Sequence, residues 1–230
     1  MQKIDLFGME LVDHSLKEAL WITDSFLKNG APNTILFISA KMLVGAGGSD
    51  MQKEWLKAAD LIIWSDAQVL QQAGITSKNR IHEVENQDYI KEVLKKLGRN
   101  RKTVYLLAES EEQLVKLRED LLHLRSDLMI AGERIVSLDE NVETLVNDIN
   151  SRTPTAVISR LPYVEQERLM METKRFLCAE VWMALNYQMI LNEERPVAVK
   201  KLLNKWYHFV FQKLIKKYKD EDETKELPLS

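Results

Sequence analysis

Short apolar runs alternate with stretches of helical spacing along most of this chain. Residues 34–40 (TILFISA), 59–65 (ADLIIWS), 103–108 (TVYLLA) and 156–161 (AVISRL) are compact, largely apolar runs of the kind that form strands buried on both faces. The segments between them carry apolar residues three and four apart, which predicts amphipathic helices. These helices are expected over 14–28, 50–58, 67–73, 87–97, 111–124, 140–150 and 164–173. Several carry their own boundary signals. Asn29-Gly30 and Gly98 end two of them, and Ser49 with Gln52 and Ser110 with Gln113 open two others as capping boxes. Residues 4–12 alternate around Gly8 and predict a small hairpin, and 128–135 predicts a strand interrupted at Gly132. The last strand is expected over 175–181, and the polar stretch 77–85 reads as a loop. Strands alternating with helices predict an α/β fold: a Rossmann-like, mostly parallel sheet flanked by helices, spanning residues 1–195.

The stretch 59–70 (ADLIIWSDAQVL) places Ser65 and Asp66 directly after an apolar strand. Ligands in open α/β sheets gather beyond the carboxyl ends of the strands, so a small-molecule site is expected there. Asp66 has two readings: a base that deprotonates a hydroxyl, or the N-cap of the helix over 67–73. Gly45–Gly48 has neither the G-x-G-x-x-G spacing nor the Gly-Lys-Ser of a phosphate loop, so a flexible turn is the expectation.

Pro196 marks a boundary. From residue 200 to 219 there are seven lysines and no acidic residue, with Leu203, Trp206, Tyr207, Val210, Phe211, Leu214 and Tyr218 at helical spacing. This predicts a basic amphipathic appendage helix over 196–219. A helix of that kind suits an anionic membrane surface, with Lys200, Lys201, Trp206, Phe211, Lys213, Lys216 and Lys217 as the contacting residues. The other reading packs its apolar stripe on the core, on a second copy in a homo-oligomer, or on a protein partner. Residues 220–230 predict an acidic, disordered tail, and the Asp220-Glu-Asp222 run within it needs no metal.

Composition narrows the class. The chain is 45% hydrophobic and 29% charged with a net charge of −3, which is ordinary for a globular protein and gives no basic excess for nucleic acid. One cysteine, Cys178, excludes an intramolecular disulfide and suits a reducing cytoplasm. No leader is visible at the amino end and no apolar run reaches the roughly 20 residues of a membrane span. The four histidines stand singly, so neither a metal nor another cofactor is expected.

The local wording of the chain resembles the WecG/TagA/CpsF family of bacterial glycosyltransferases. The likeness runs through IDLFGMELVD, TILFIS with QKEWLKAADLII, Arg80, KTVYLLAESEEQLVKLREDL, LMIAGERIVSLDENVETLVNDINSRTPTAVIS and LPYVEQERLM. It implies a Rossmann-like core with a membrane-engaging C-terminal appendage. It also implies transfer of a hexosamine-type sugar, such as N-acetylmannosamine, from a UDP donor to a polyprenyl-diphosphate-linked acceptor in cell-envelope polysaccharide synthesis. The setting it implies is cytoplasmic, at the inner face of the membrane. The site residues that carry over are Asp66 as the base, with Ser39, Ser65, Arg80, Glu165 and Gln166 around the substrate. Several motif positions differ. The T-A-N turn is replaced by Phe37, Ile38 and Ser39, and the Asp-Gly pair by Ser65 and Asp66. G-x-P-K-Q-E is replaced by the run from Arg160 through Pro162 to Glu165, and the late glycine motif by bulky residues around 178–185. Impaired or altered transfer is therefore the expected function, and a catalytically inactive, membrane-associated, partner-binding relative is the alternative.

Overall fold

The computed structural model describes residues 2–191, except 7, 48, 49, 138, 188 and 190, together with Lys213. A hairpin of β1 (Gln2–Leu6) and β2 (Met9–Asp13) opens the chain. Its tight turn puts Gly8 at φ 70°, a conformation that glycine adopts without cost. Helix α1 (Leu16–Phe26) follows, then β3 (Asn33–Ile38), α2 (Ala40–Gly47), α3 (Asp50–Ala58) and β4 (Leu61–Trp64). Three helices, α4 (Ala67–Gln72), α5 (Lys78–Glu85) and α6 (Asp88–Arg99), lead to β5 (Thr103–Ala108). The remainder runs α7 (Glu111–Leu124), β6 (Met129–Ile135), α8 (Val142–Ser151), β7 (Ala156–Arg160), α9 (Tyr163–Thr173) and β8 (Val181–Ala184).

Strands β3 to β8 form one parallel sheet in the order β4-β3-β8-β7-β5-β6. Side chains alternate across it with the period of two that a pleated strand imposes. Leu36, Ile38, Tyr105, Leu107, Val157 and Trp182 enter one core with the hairpin, α2, α3, α8 and α9. Ile35, Phe37, Val104, Leu106, Ile158 and Met183 enter the other with α1, α6 and α7. Connections that step toward β4 carry their packed helices on the first face, and those that step toward β6 carry α6 and α7 on the second. That is the single hand that crossovers in parallel sheets require. The direction reverses between β7, whose chain goes on to β8, and β5, whose chain goes on to β6. The topological switch point therefore lies at the carboxyl ends of β5 and β7.

The α/β, mostly parallel architecture agrees with the sequence reading, and three local expectations are corrected. Residues 77–85 are not a loop but α5, capped by the Ser77 hydroxyl, which accepts the Arg80 N–H at 3.4 Å. Its polarity is misleading because Arg80 points inward to an ion pair, and Val84 supplies the buried apolar contact. Gly45 to Gly47 are the last turn of α2, not a flexible turn. The last strand is Val181–Ala184, since Lys174–Phe176 coils into a single 3-10 turn and only the Val-Trp-Met-Ala run is buried on both faces. Gly48 and Ser49, the appendage expected over 196–219 apart from Lys213, and the tail over 220–230 lie outside the described residues.

Gly132 earns its place in β6. The β5–β6 register shifts between Val104 and Tyr105, and a Cβ on Gly132 would sit 2.6 Å from Tyr105 Cε2.

Candidate functional site

At the carboxyl ends of β3 and β4 the chain turns through Ser39, Ser65 and Asp66. The Ser65 N–H and hydroxyl both donate to the Ile38 carbonyl at 2.8 Å, which ties the two strand ends together. Asn186, just past β8, donates to Ser65 Oγ at 3.2 Å. Ser39 is buried, and its Oγ has no hydrogen-bond partner among the described residues. Asp66 is the N-cap of α4, its Oδ1 accepting the Gln68 N–H at 3.0 Å. The fold thus brings Ser39, Ser65 and Asp66 to one rim, with Asn186 as a neighbour that no local signal singles out.

Arg80, on α5, is joined to the end of the hairpin at Asp13 and lines a cavity with Phe37, Ile63 and Trp64. Its Nε and Nη2 donate to Asp13 Oδ1 at 3.0 and 2.8 Å, and Nη1 donates to Glu83 Oε2 at 3.1 Å. The planar fork that would pair with a diphosphate is thus filled by two carboxylates of the chain itself. Glu83 is legible as the i+3 neighbour of Arg80. Asp13 is not, because nothing local marks a partner 67 residues away. His14 is next to this cluster, and burial pulls its pKa down. Beside Arg80 a cavity of about 20 Å³ is lined by Phe37, Trp64, Tyr89 and Met189. That is room for about one water. Phe37 and Tyr89 pack against each other at the cavity wall, with ring centroids 5.7 Å apart.

Gln166 points into the core rather than toward the rim. Its Oε1 accepts from Ser159 Oγ at 2.7 Å, its Nε2 donates to the Leu185 carbonyl at 3.2 Å, and Trp182 Nε1 donates to Ser159 Oγ at 2.7 Å. This buried chain satisfies the polar groups of β7, α9 and β8 at once. Glu165 is half-buried in the first turn of α9, where a carboxylate complements the helix dipole. The switch point itself is occupied. Arg160, only 1% exposed, pairs with Asp120 of α7 at 2.9 Å, while its Nε and Nη2 have no partner among the described residues. Burial lowers the Arg160 pKa and Asp120 opposes that shift. Of the residues expected at a membrane, only Lys213 is described, and it is exposed.

In a doubly wound parallel sheet, ligands bind in the crevice beyond the carboxyl ends of the strands. The family model "Glycosyl transferase WecG/TagA/CpsF family" matches residues 4–187, and the chain belongs to that family. No curated relative matches it. Among the described residues no helix is long and apolar enough to cross a membrane.

Proposed function

We propose that this WecG/TagA/CpsF domain carries an impaired form of hexosamine transfer from a UDP donor to a lipid-linked acceptor. The observation that carries the reading is the commitment of Arg80 to Asp13 and Glu83. In an unimpaired reaction a carboxylate would take the proton of the acceptor hydroxyl. The hydroxyl oxygen would then bond to the anomeric carbon as the bond to UDP breaks, and cations would balance the departing diphosphate. Asp66 is the carboxylate at the β4 end of the rim, where it also holds the first turn of α4. The cation suited to the diphosphate is Arg80, already neutralised. Both groups serve the fold first, which supports low turnover. Membrane association of residues 196–219 belongs to the same proposal: their lysines would each contribute about 1 kcal/mol at an anionic surface.

Calorimetry with UDP and UDP-N-acetylhexosamines, paired with a UDP-release assay, tests the reading. Binding only in the millimolar range, with slow release that Asp66→Asn abolishes, is expected. Micromolar UDP affinity with rapid turnover would refute impairment. A flat titration would favour the inactive, partner-binding relative. For the membrane, flotation with anionic liposomes should recover the full chain but not one ending at Glu194, and equal flotation of both would refute that part.

A further inference from the structure

A second cavity bounded by described residues lies at the other end of the sheet. It measures about 490 Å³, within the range of small-molecule sites. Thr34 marks its position near the start of β3, five residues before Ser39, which is about 17 Å at about 3.3 Å per residue. The pocket therefore shares nothing with the rim described above. Its walls come from the ends of α3 and α9: Trp55 and Ala58 on one side, Met170 and Met171 on the other. An indole with two methionines makes an apolar surface that adapts to its contents.

The mouth is basic. Lys174 and Arg175 both line it. Lys174 Nζ donates to Asp60 Oδ2 at 2.6 Å, and the same carboxylate oxygen accepts the Thr34 N–H and hydroxyl at 2.7 and 2.8 Å. One Asp60 oxygen is thus shared by three donors, and its carboxylate neutralises Lys174. Arg175 differs. Its guanidinium stacks over the Phe176 ring at 4.7 Å and makes no ion pair among the described residues. One uncompensated cation therefore stands over an apolar cavity.

We infer that this pocket binds a single-chain amphiphilic anion, with its hydrocarbon between Trp55 and the Met170–Met171 pair and its carboxylate on Arg175. Charge selects the class. A neutral amphiphile would leave Arg175 unused and a cationic one would be repelled by it, whereas a carboxylate pairs with a guanidinium bidentately. The inference stands apart from the sugar-transfer reading, because no residue of the rim takes part.

Isothermal titration of the full-length protein with decanoate, decanol and decyltrimethylammonium tests it. Saturable one-to-one binding of decanoate is expected, at least tenfold tighter than either of the others. Ala58→Trp, at an exposed position on the pocket wall, should fill the cavity and weaken decanoate at least tenfold. Arg175→Gln should bring decanoate close to decanol while leaving decanol unchanged. Melting curves of both variants check that they fold. If Ala58→Trp misfolds, Met171→Trp gives the same test from the opposite wall, since Met171 is also exposed. No saturable decanoate binding overturns the inference. So does binding that both tryptophan variants leave intact, which would place the amphiphile elsewhere, for instance on the basic stretch beyond residue 196.

Discussion

Arg80→Met separates a structural arginine from a ligand-binding one. In the folded protein Asp13 is 7% exposed and the Arg80 side chain 14%, joined by two short hydrogen bonds, with Glu83 on the third nitrogen. Removing the guanidinium leaves a nearly buried carboxylate with no cation. Fully buried pairs lose about 3–5 kcal/mol when one partner goes, and exposed pairs about 0–1 kcal/mol. This pair is close to the buried limit but not at it, so about 3 kcal/mol is expected for Arg80→Met. For a chain of this size that is a fall in Tm of about 6–12 °C. Asp13→Leu alone should cost less, because Arg80 keeps Glu83 and some access to water. The double variant should recover much of the loss, giving a coupling of about 1–3 kcal/mol in a double-mutant cycle. Urea unfolding of the four proteins supplies the cycle. If Arg80→Met melts within about 1 °C of the parent but loses UDP binding, the arginine serves a ligand and the reasoning fails.

Three other perturbations probe the frame around the site. Ser159→Ala should leave Trp182 Nε1 and Gln166 Oε1 buried without partners and cost about 2–4 kcal/mol by denaturant unfolding. Gly132→Ala pushes a methyl to 2.6 Å from a Tyr105 ring whose hydroxyl is held by Asp148, and should cost about 1–3 kcal/mol on the same assay. Glu18 accepts from the backbone and hydroxyl of Ser15, which lowers its pKa from 4.5 to about 2. A depressed carboxylate stabilises the fold above its unfolded pKa, so that contribution is present above about pH 4.5 and is lost as pH falls toward about 2. Glu18→Gln keeps the acceptor without the titration. Its Tm should therefore fall less steeply than the parent's across that window, and parallel curves would remove Glu18 from the account.

The sheet was legible because burial on two faces writes itself as compact apolar runs. Thr103–Ala108 and Glu111–Leu124 coincide with their expected spans, since Ser110 marks the turn between them. The misread segments have a common cause. In α5 the inward-facing polar residue satisfies a partner on β2, so polarity does not signal solvent. Near residue 175 the apolar residues Leu177 and Ala179 are buried without pairing, so hydrophobicity does not signal a strand. Ser39, Ser65 and Asp66 are legible in the sequence because they sit at strand ends, which is a local property, whereas Arg80 and Gln166 enter through the family resemblance. The hydrogen-bond partners are not legible: Asp13 for Arg80 and Asn186 for Ser65 come from distant parts of the chain, and Ser159 and Leu185 meet Gln166 only because β7, α9 and β8 pack together. A polar side chain's type is local, but what it is spent on depends on the fold.

The irregularity in β6 has a bearing on how this protein keeps its own company. Among the described residues β6 is the outermost strand on its side of the sheet, with Met129 and Ile135 both exposed along it. A flat, greasy margin of that kind invites the margin of another molecule. The extra residue, Ala131, just before Gly132, puts a twist in the ribbon, and Glu133 and Arg134 beyond it are tethered by Arg118 and Glu140. A neighbouring chain would have to straighten the kink and tear out both tethers to continue the ladder. The edge is thereby guarded against self-templated stacking.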